Sequence, residues 1–281
     1  MCGKRTMTKE EAVAEISHLT RLSHAHILRV IGTYVKGREL SILLYPVADC
    51  NLEVFLDRYR EMRPYSDRWL GIAIFLERCA SCLSSAVRYI HRNLTKHMDI
   101  KPQNILILAT GPATYAPFIA DFGIARSYEK LEDVETDGET SFTRRYAAPE
   151  VVKQESRGLP ADIFSLGCVF FEIFASTYGN YVRDEDFIEL GEILKSNPRG
   201  DTSYQANIDA LQAQLSKIPD LPWSFSLLDP LSSLIKRMLR ERPEQRPSAE
   251  DLVISLGERP CCVNGSVSLQ ALAKDRLGSN T

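Results

Sequence analysis

No stretch of this 281-residue chain is an uninterrupted apolar run of the roughly 18 residues needed to cross a bilayer. The opening residues, Met1-Cys2-Gly3-Lys4, lead into charged, helix-patterned sequence instead of an apolar leader. Excess positive charge is lacking too. Lys and Arg number 34 against 37 Asp and Glu, a net charge of -3, so neither a basic footprint for nucleic acid nor a polybasic membrane anchor is expected. Internal repeats and low-complexity tracts are absent. The seven cysteines, Cys2, Cys50, Cys79, Cys82, Cys168, Cys261 and Cys262, are odd in number and scattered. That distribution argues against a disulfide framework and for an intracellular location, in the cytoplasm or the nucleus. Cys79-x-x-Cys82 lies in a helical pattern without a second Cys/His pair at zinc spacing, which reads as core packing.

What the chain does have is ordinary globular material, 44% hydrophobic and 25% charged, enough for one large core or two smaller ones. Val13, Ile16, Leu19 and Leu22 recur on one face after Thr8, which predicts an amphipathic helix over residues 8–22 with Glu15 one step from the stripe. Ile27 to Tyr34 and Leu40 to Val47 read as two strands joined by a hairpin turn at Lys36-Gly37-Arg38-Glu39. The pattern then becomes mostly helical, with a core helix from about Trp69 to His91. Gly111-Pro112 turns the run Ile105 to Leu108 back toward Phe118-Ile119-Ala120 and Asp121. Residues 121–150 show little periodicity, and loops of that length inside compact domains are usually functional. Further helices are expected over Asp162 to Phe174, Ala206 to Leu215 and Leu227 to Leu239.

Chemistry concentrates in His97-Met98-Asp99-Ile100-Lys101-Pro102-Gln103-Asn104, then Asp121-Phe122-Gly123, then Ala148-Pro149-Glu150. An isolated Asp-Phe-Gly is more often a turn than a site. The three segments in this order resemble the catalytic loop, metal loop and anchored substrate segment of eukaryotic-type serine/threonine protein kinases, in a divergent, fungal-like form.

The resemblance implies an α+β, two-lobed fold with a mostly helical large lobe and an abbreviated small-lobe sheet. It divides the chain into a partial small lobe over residues 1–47, a large lobe over 48–257 and a tail over 258–281. Asp99 then accepts the substrate hydroxyl proton, and Lys101 neutralises charge on the transferred phosphoryl group. Asn104 and Asp121 hold Mg2+, and Thr143 meets Asp99 and Lys101. Adenine recognition of ATP falls to Leu44 as gatekeeper, to the Tyr45 carbonyl and Val47 amide, and to Leu106 as pocket floor. Glu15 corresponds to the small-lobe helix carboxylate that pairs with a strand lysine. His97 and Phe122 correspond to members of an apolar column with Leu19 and Val30. Asp162 corresponds to the carboxylate that fastens the catalytic loop, and Glu150 and Arg246 to the ion pair that pins the substrate segment.

Departures from the family pattern bear on activity. Nothing upstream of Glu15 offers a glycine-rich phosphate loop or a strand lysine, and the first three small-lobe strands are missing from the sequence. Lys4 is too close to Glu15 to end a strand and enter a helix comfortably. Met98 replaces the arginine that receives a loop phosphate, so activation through Thr136, Thr140 or Ser141 is not favoured. The expected activity is transfer of the γ-phosphoryl of Mg-ATP to a protein Ser or Thr hydroxyl, with ATP and protein as partners and no role for nucleic acid or membrane. The alternative is a kinase-like interaction module without turnover. A small-molecule phosphotransferase is disfavoured by the Ala-Pro-Glu segment and the helix after it.

Overall fold

The computed structural model describes Thr20 and residues 22–36, 39–63, 66–122, 125–127, 142–182, 189–217, 228–259 and 261. Apart from Thr20 and Leu22, the helix expected over residues 8–22, with Glu15 and Leu19, lies outside the described residues. So do Lys4, Gly37-Arg38, Gly123, Thr136, Thr140 and Ser141.

The hairpin forms from β1 (Arg29–Lys36) and β2 (Glu39–Tyr45), antiparallel from Lys36↔Glu39 to Arg29↔Tyr45. Its first strand starts later than the apolar pattern suggests. Ile27 makes an isolated parallel bridge to Ile119 instead, so the beginning of that run is used to join the hairpin to the next sheet. Ile31, Tyr34 and Leu43 leave an exposed apolar face on the hairpin.

The second sheet has the order β3 (Cys50–Asn51), β5 (Ile105–Gly111), β6 (Thr114–Ile119), all antiparallel. A short pair, β4 (Thr95–Lys96) with β7 (Arg126–Ser127), closes the loop between them. The register Ile105↔Ile119 sets Asn104 beside Ala120, whose amide donates to the Asn104 carbonyl at 2.9 Å.

The rest is helical. Asn51 accepts from the Val54 amide at 3.0 Å and starts α1 (Leu52–Arg60), which buries Leu52, Phe55, Leu56 and Tyr59 on one face. Ser66 caps α2 (Asp67–Arg92), a few residues longer than its apolar periodicity indicated. A single turn, α3 (Pro149–Val152), precedes α4 (Pro160–Val182). Then follow α5 (Leu190–Lys195), α6 (Ile208–Ser216), α7 (Leu228–Met238) and α8 (Ala249–Leu256), the last opened by a reciprocal Ser248/Asp251 cap.

Helix α4 is apolar on all sides because it is surrounded. Both α2 and α4 are long and apolar enough to cross a membrane, yet 72% and 94% of their apolar windows lie inside the fold, so core burial accounts for the composition. Gly167 on α4 allows α7 to approach. A Cβ there would sit 2.8 Å from the Met238 Cβ, and the two helices would have to separate.

Candidate active site

The segment His97 to Lys101 leaves β4 with Met98 in the left-handed region, φ 69°, a conformation that an unbranched side chain tolerates only when the surroundings impose it. Asp162, buried at the start of α4, imposes it. Its two oxygens accept from the His97 and Met98 amides, each at 2.8 Å, and Oδ2 also accepts from His91 Nε2 at 3.1 Å. Burial would push the Asp162 carboxyl up. The His91 hydrogen bond and charge, with help from His97, outweigh burial and hold it below its ordinary value of 3.8.

His97 is itself locked. Its Nε2 donates to the Ala120 carbonyl at 3.1 Å and its Nδ1 accepts from the Asp99 amide at 3.3 Å, with the ring centroid 4.6 Å from that of Phe122. The ring thus ties the loop holding Asp99 to the strand end that leads to Asp121.

At Asp99 three side chains converge. Lys101 Nζ donates to Oδ2 at 2.5 Å and Asn104 Nδ2 to the same oxygen at 3.0 Å, while the Thr143 hydroxyl donates to Oδ1 at 2.7 Å. Lys101 Nζ also donates to Thr143 Oγ1 at 2.7 Å. The residues come from a loop, a single 3-10 turn (Pro102–Asn104) and a segment far along the chain, yet Asp99, Lys101 and Thr143 close a ring of hydrogen bonds that Asn104 joins through Asp99.

Asn104 Nδ2 donates in addition to the Asp99 carbonyl at 2.9 Å, so both of these bonds use the amide nitrogen. Its Oδ1 accepts no hydrogen bond among the described residues and is available as a ligand. Asp121 follows Ala120 with φ 62° and is half-buried. An amide oxygen and a carboxylate are hard donors, and Asn104 and Asp121, residues next to each other across the Ala120-to-Asn104 backbone bond, are of types that fit Mg2+.

Leu44 on β2 and Leu106 on β5 both pack against the apolar cluster of Leu28, Leu108, Ala116, Phe118 and Ala120. Tyr45 is half-buried, Pro46 buried and Val47 exposed, so the chain reaches solvent at Val47. Leu44 and Tyr45 thus close the second strand of the hairpin, whereas Leu106 lies on the middle strand of the second sheet. Glu15 lies outside the described residues.

Downstream of Thr143 the chain is pinned at several points. The Ser165 hydroxyl donates to the Tyr146 carbonyl at 2.9 Å, and the Tyr204 amide donates to the Arg145 carbonyl at 2.9 Å. Glu150 takes both terminal nitrogens of Arg246, at 2.7 and 2.8 Å, the pair the sequence suggested. Arg246 is buried and also donates to the carbonyls of Arg240, Glu241 and Pro160, with its guanidinium over the Phe164 ring. A buried charge with every donor engaged is the condition under which such a pair survives.

Glu172 escaped the sequence reading. Buried on α4, it accepts from the Tyr146 hydroxyl at 2.8 Å and the Tyr204 hydroxyl at 3.0 Å, and burial pushes its carboxyl up despite both bonds. The signal was present in a carboxylate midway along a largely apolar helix. It lines a cavity of about 640 Å³ with Glu53, Asp57, Arg60, Gln103 and Glu189, next to the catalytic loop.

The profile of the family described as "Protein kinase domain" matches residues 3–255. The chain is 28% identical over 242 residues to "Serine/threonine-protein kinase PkaA" of Streptomyces coelicolor, covering 86% of this chain and 38% of that protein. It is 30% identical over 270 residues to "Mitogen-activated protein kinase kinase kinase 9" of Arabidopsis thaliana, covering 94% and 30%. With "Calcium/calmodulin-dependent protein kinase type IV" of Homo sapiens the identity is 32% over 169 residues, covering 60% and 33%. The chain thus spans between 30% and 38% of the length of these relatives. Because the matched stretch takes in Asp99, Asn104, Asp121, Thr143 and the buried Glu150–Arg246 pair alike, the chain belongs to the protein kinase domain family.

Proposed function

We propose that the chain is a serine/threonine protein kinase, moving the γ-phosphoryl of Mg-ATP to a protein hydroxyl. The observation that carries this reading is the ring of Lys101, Asn104 and Thr143 around the Asp99 carboxylate. A carboxylate has about four acceptor positions. Three are filled by these donors, which orient the group, and the one left can take the proton of a substrate hydroxyl as its oxygen bonds to phosphorus. Lys101 offsets negative charge beside the transferred group. Asn104 Oδ1 and Asp121 would hold the metal, and Mg-ATP bound there supplies the phosphoryl group with its charge partly neutralised. Leu44, Leu106 and the Tyr45 and Val47 backbone would hold adenine. The cavity at Glu172 and Asp57, more acidic than basic, suits a polypeptide acceptor with a cationic side chain.

The experiment is phosphate incorporation by the wild-type chain and by Asp99→Asn, with thermal melts of both. Loss of incorporation at an unchanged melting temperature supports the reading. Undiminished transfer by the variant removes Asp99 from the mechanism.

A binding module without turnover is favoured by one specific observation, the exposed apolar face at Ile31, Tyr34 and Leu43 on a two-stranded hairpin. A wild-type chain that neither binds Mg-ATP nor incorporates phosphate would select this second reading.

A further inference from the structure

Away from Asp99, three soft ligands from the beginning, the middle and the end of the chain meet in one place. A ring nitrogen of His26 and the sulfurs of Cys82 and Cys261 lie within 4.8 Å of one another, and the two sulfurs are 3.8 Å apart. His26 and Cys82 are buried and Cys261 is half-buried. We propose that His26 Nε2, Cys82 Sγ and Cys261 Sγ form a site for one divalent zinc ion.

The sulfur spacing is the first argument. Two thiolates, each about 2.3 Å from zinc and separated by the tetrahedral angle, lie about 3.8 Å apart. The second argument is the histidine. His26 Nδ1 bonds the Pro117 carbonyl at 2.9 Å, so that nitrogen carries the hydrogen and Nε2 carries the lone pair. An outer carbonyl that fixes the tautomer and the ring plane is the usual support of a zinc-bound imidazole. In a closed site a nitrogen and a sulfur stand about 3.6 Å apart. With all three atoms already within 4.8 Å of one another, small side-chain adjustments suffice to close the site. Thiolate and imidazole together select zinc over magnesium or calcium.

The fourth position falls to water. His24 is committed elsewhere, its Nδ1 accepting from the His26 amide at 3.1 Å and its Nε2 meeting Ser85 Oγ at 3.3 Å. On binding, each thiol releases its proton to solvent and the ion replaces it. Cys79, the other half of the Cys-x-x-Cys pair, is wholly buried in the core and takes no part. The sequence expectation that Cys82 only packs was drawn from spacing along the chain. His26 and Cys261 are partners that spacing could not reveal.

The placement gives the site a use. The segment before Cys261 is already docked on α2, where Arg88 pairs with Glu258 and the Ser81 hydroxyl donates to the Leu256 carbonyl at 3.2 Å. On the other side, the His26 carbonyl accepts from the Ile119 amide at 2.8 Å and the Leu28 amide donates to the Ile119 carbonyl at 3.0 Å. Zinc would therefore clamp the segment after α8 to the turn that braces the strand leading to Asp121.

The test uses the whole chain, purified reduced and stripped with chelator, then titrated with zinc(II) alone and cobalt(II) alone. The expected result is one ion per chain after desalting, a thiolate-to-cobalt charge-transfer band with tetrahedral visible bands, and a higher melting temperature with zinc. Cys82→Ser, Cys261→Ser and His26→Ala should each weaken binding by more than the about 10- to 100-fold that loss of an outer-shell partner costs. Cys262→Ser should leave the cobalt spectrum unchanged. Cys261 is half-buried, so its replacement does not threaten the fold, and the wild-type cobalt spectrum is independent of any variant. Absence of stoichiometric metal overturns the proposal. So does a band that persists in Cys82→Ser/Cys261→Ser, or a Cys82–Cys261 disulfide in protein freshly purified without reductant.

Discussion

Thr143 donates its hydroxyl hydrogen to Asp99 Oδ1 and accepts from Lys101 Nζ, both at 2.7 Å. One side chain from the substrate segment thus completes the hydrogen bonding of two residues in the loop. Thr143→Ala removes both bonds. At about 1.5–3 kcal/mol for a hydrogen bond to a charged group, phosphate incorporation should fall about 10- to 150-fold. Thr143→Ser keeps the hydroxyl and should restore most of the rate. Steady-state kinetics of the two variants checks this, and equal rates for Ala and Ser would show that the hydroxyl is idle.

Glu150 and Arg246 should be strongly coupled. Removing either alone strands a buried charge and should cost about 3–5 kcal/mol, whereas the double replacement should cost less than the sum of the two. Denaturant melts of Glu150→Gln, Arg246→Met and the double variant measure the coupling. Strict additivity would mean that the bidentate contact carries no energy.

Asp162 makes stability depend on pH with a definite sign. Its carboxyl is held below 3.8 in the folded chain, so its contribution is complete above that value and is lost as pH falls through it. The difference in melting temperature between wild type and Asp162→Asn should be largest at neutral pH and shrink below about pH 4. Parallel thermal melts across that range provide the measurement. A difference that stays constant with pH would assign the stabilisation to shape instead of charge.

Mg-ATP should bind weakly to the 281-residue chain. Residues 1–14 contain no glycine-rich loop to offer backbone amides and no lysine at the normal distance from Glu15. Each missing charge-assisted contact is worth about 1.5–3 kcal/mol. Fusing the three initial strands of a related kinase ahead of Lys4, with a linker of suitable length, should strengthen binding by orders of magnitude and cover Ile31, Tyr34 and Leu43. Calorimetric titration of both proteins decides it. Ordinary kinase affinity in the unextended chain would mean that another part of the fold closes the pocket.

Much of the site was legible because its chemistry is local. Asp99, Lys101 and Asn104 lie within one loop, and their residue types name a proton acceptor, a cation and a metal ligand before any folding is considered. Helices α2, α4 and α7 were readable from apolar periodicity, since long buried helices repeat the same demand every turn. Of the shorter helices only α6 was anticipated, as Ala206 to Leu215. The nine residues of α1 and the eight of α8 carry too few turns for periodicity to stand out, and their caps, Asn51 and Ser248, are common residues that mark an end only once the chain is seen to turn there.

By itself the sequence determined the family, the order of the catalytic segments and the identity of the side chains that can do the chemistry. Covalent order holds Asp99, Lys101 and Asn104 within six residues of chain. Tertiary structure alone decided that Glu172 is shared by Tyr146 and Tyr204, and that Cys82 faces His26 and Cys261 instead of pairing with Cys79. These contacts join residues distant along the chain, and hydrogen bonding and ligation depend on separations of a few ångströms in space. Only the packing of α2 against β6, and of α4 against α1, α2 and α7, brings those atoms within that range.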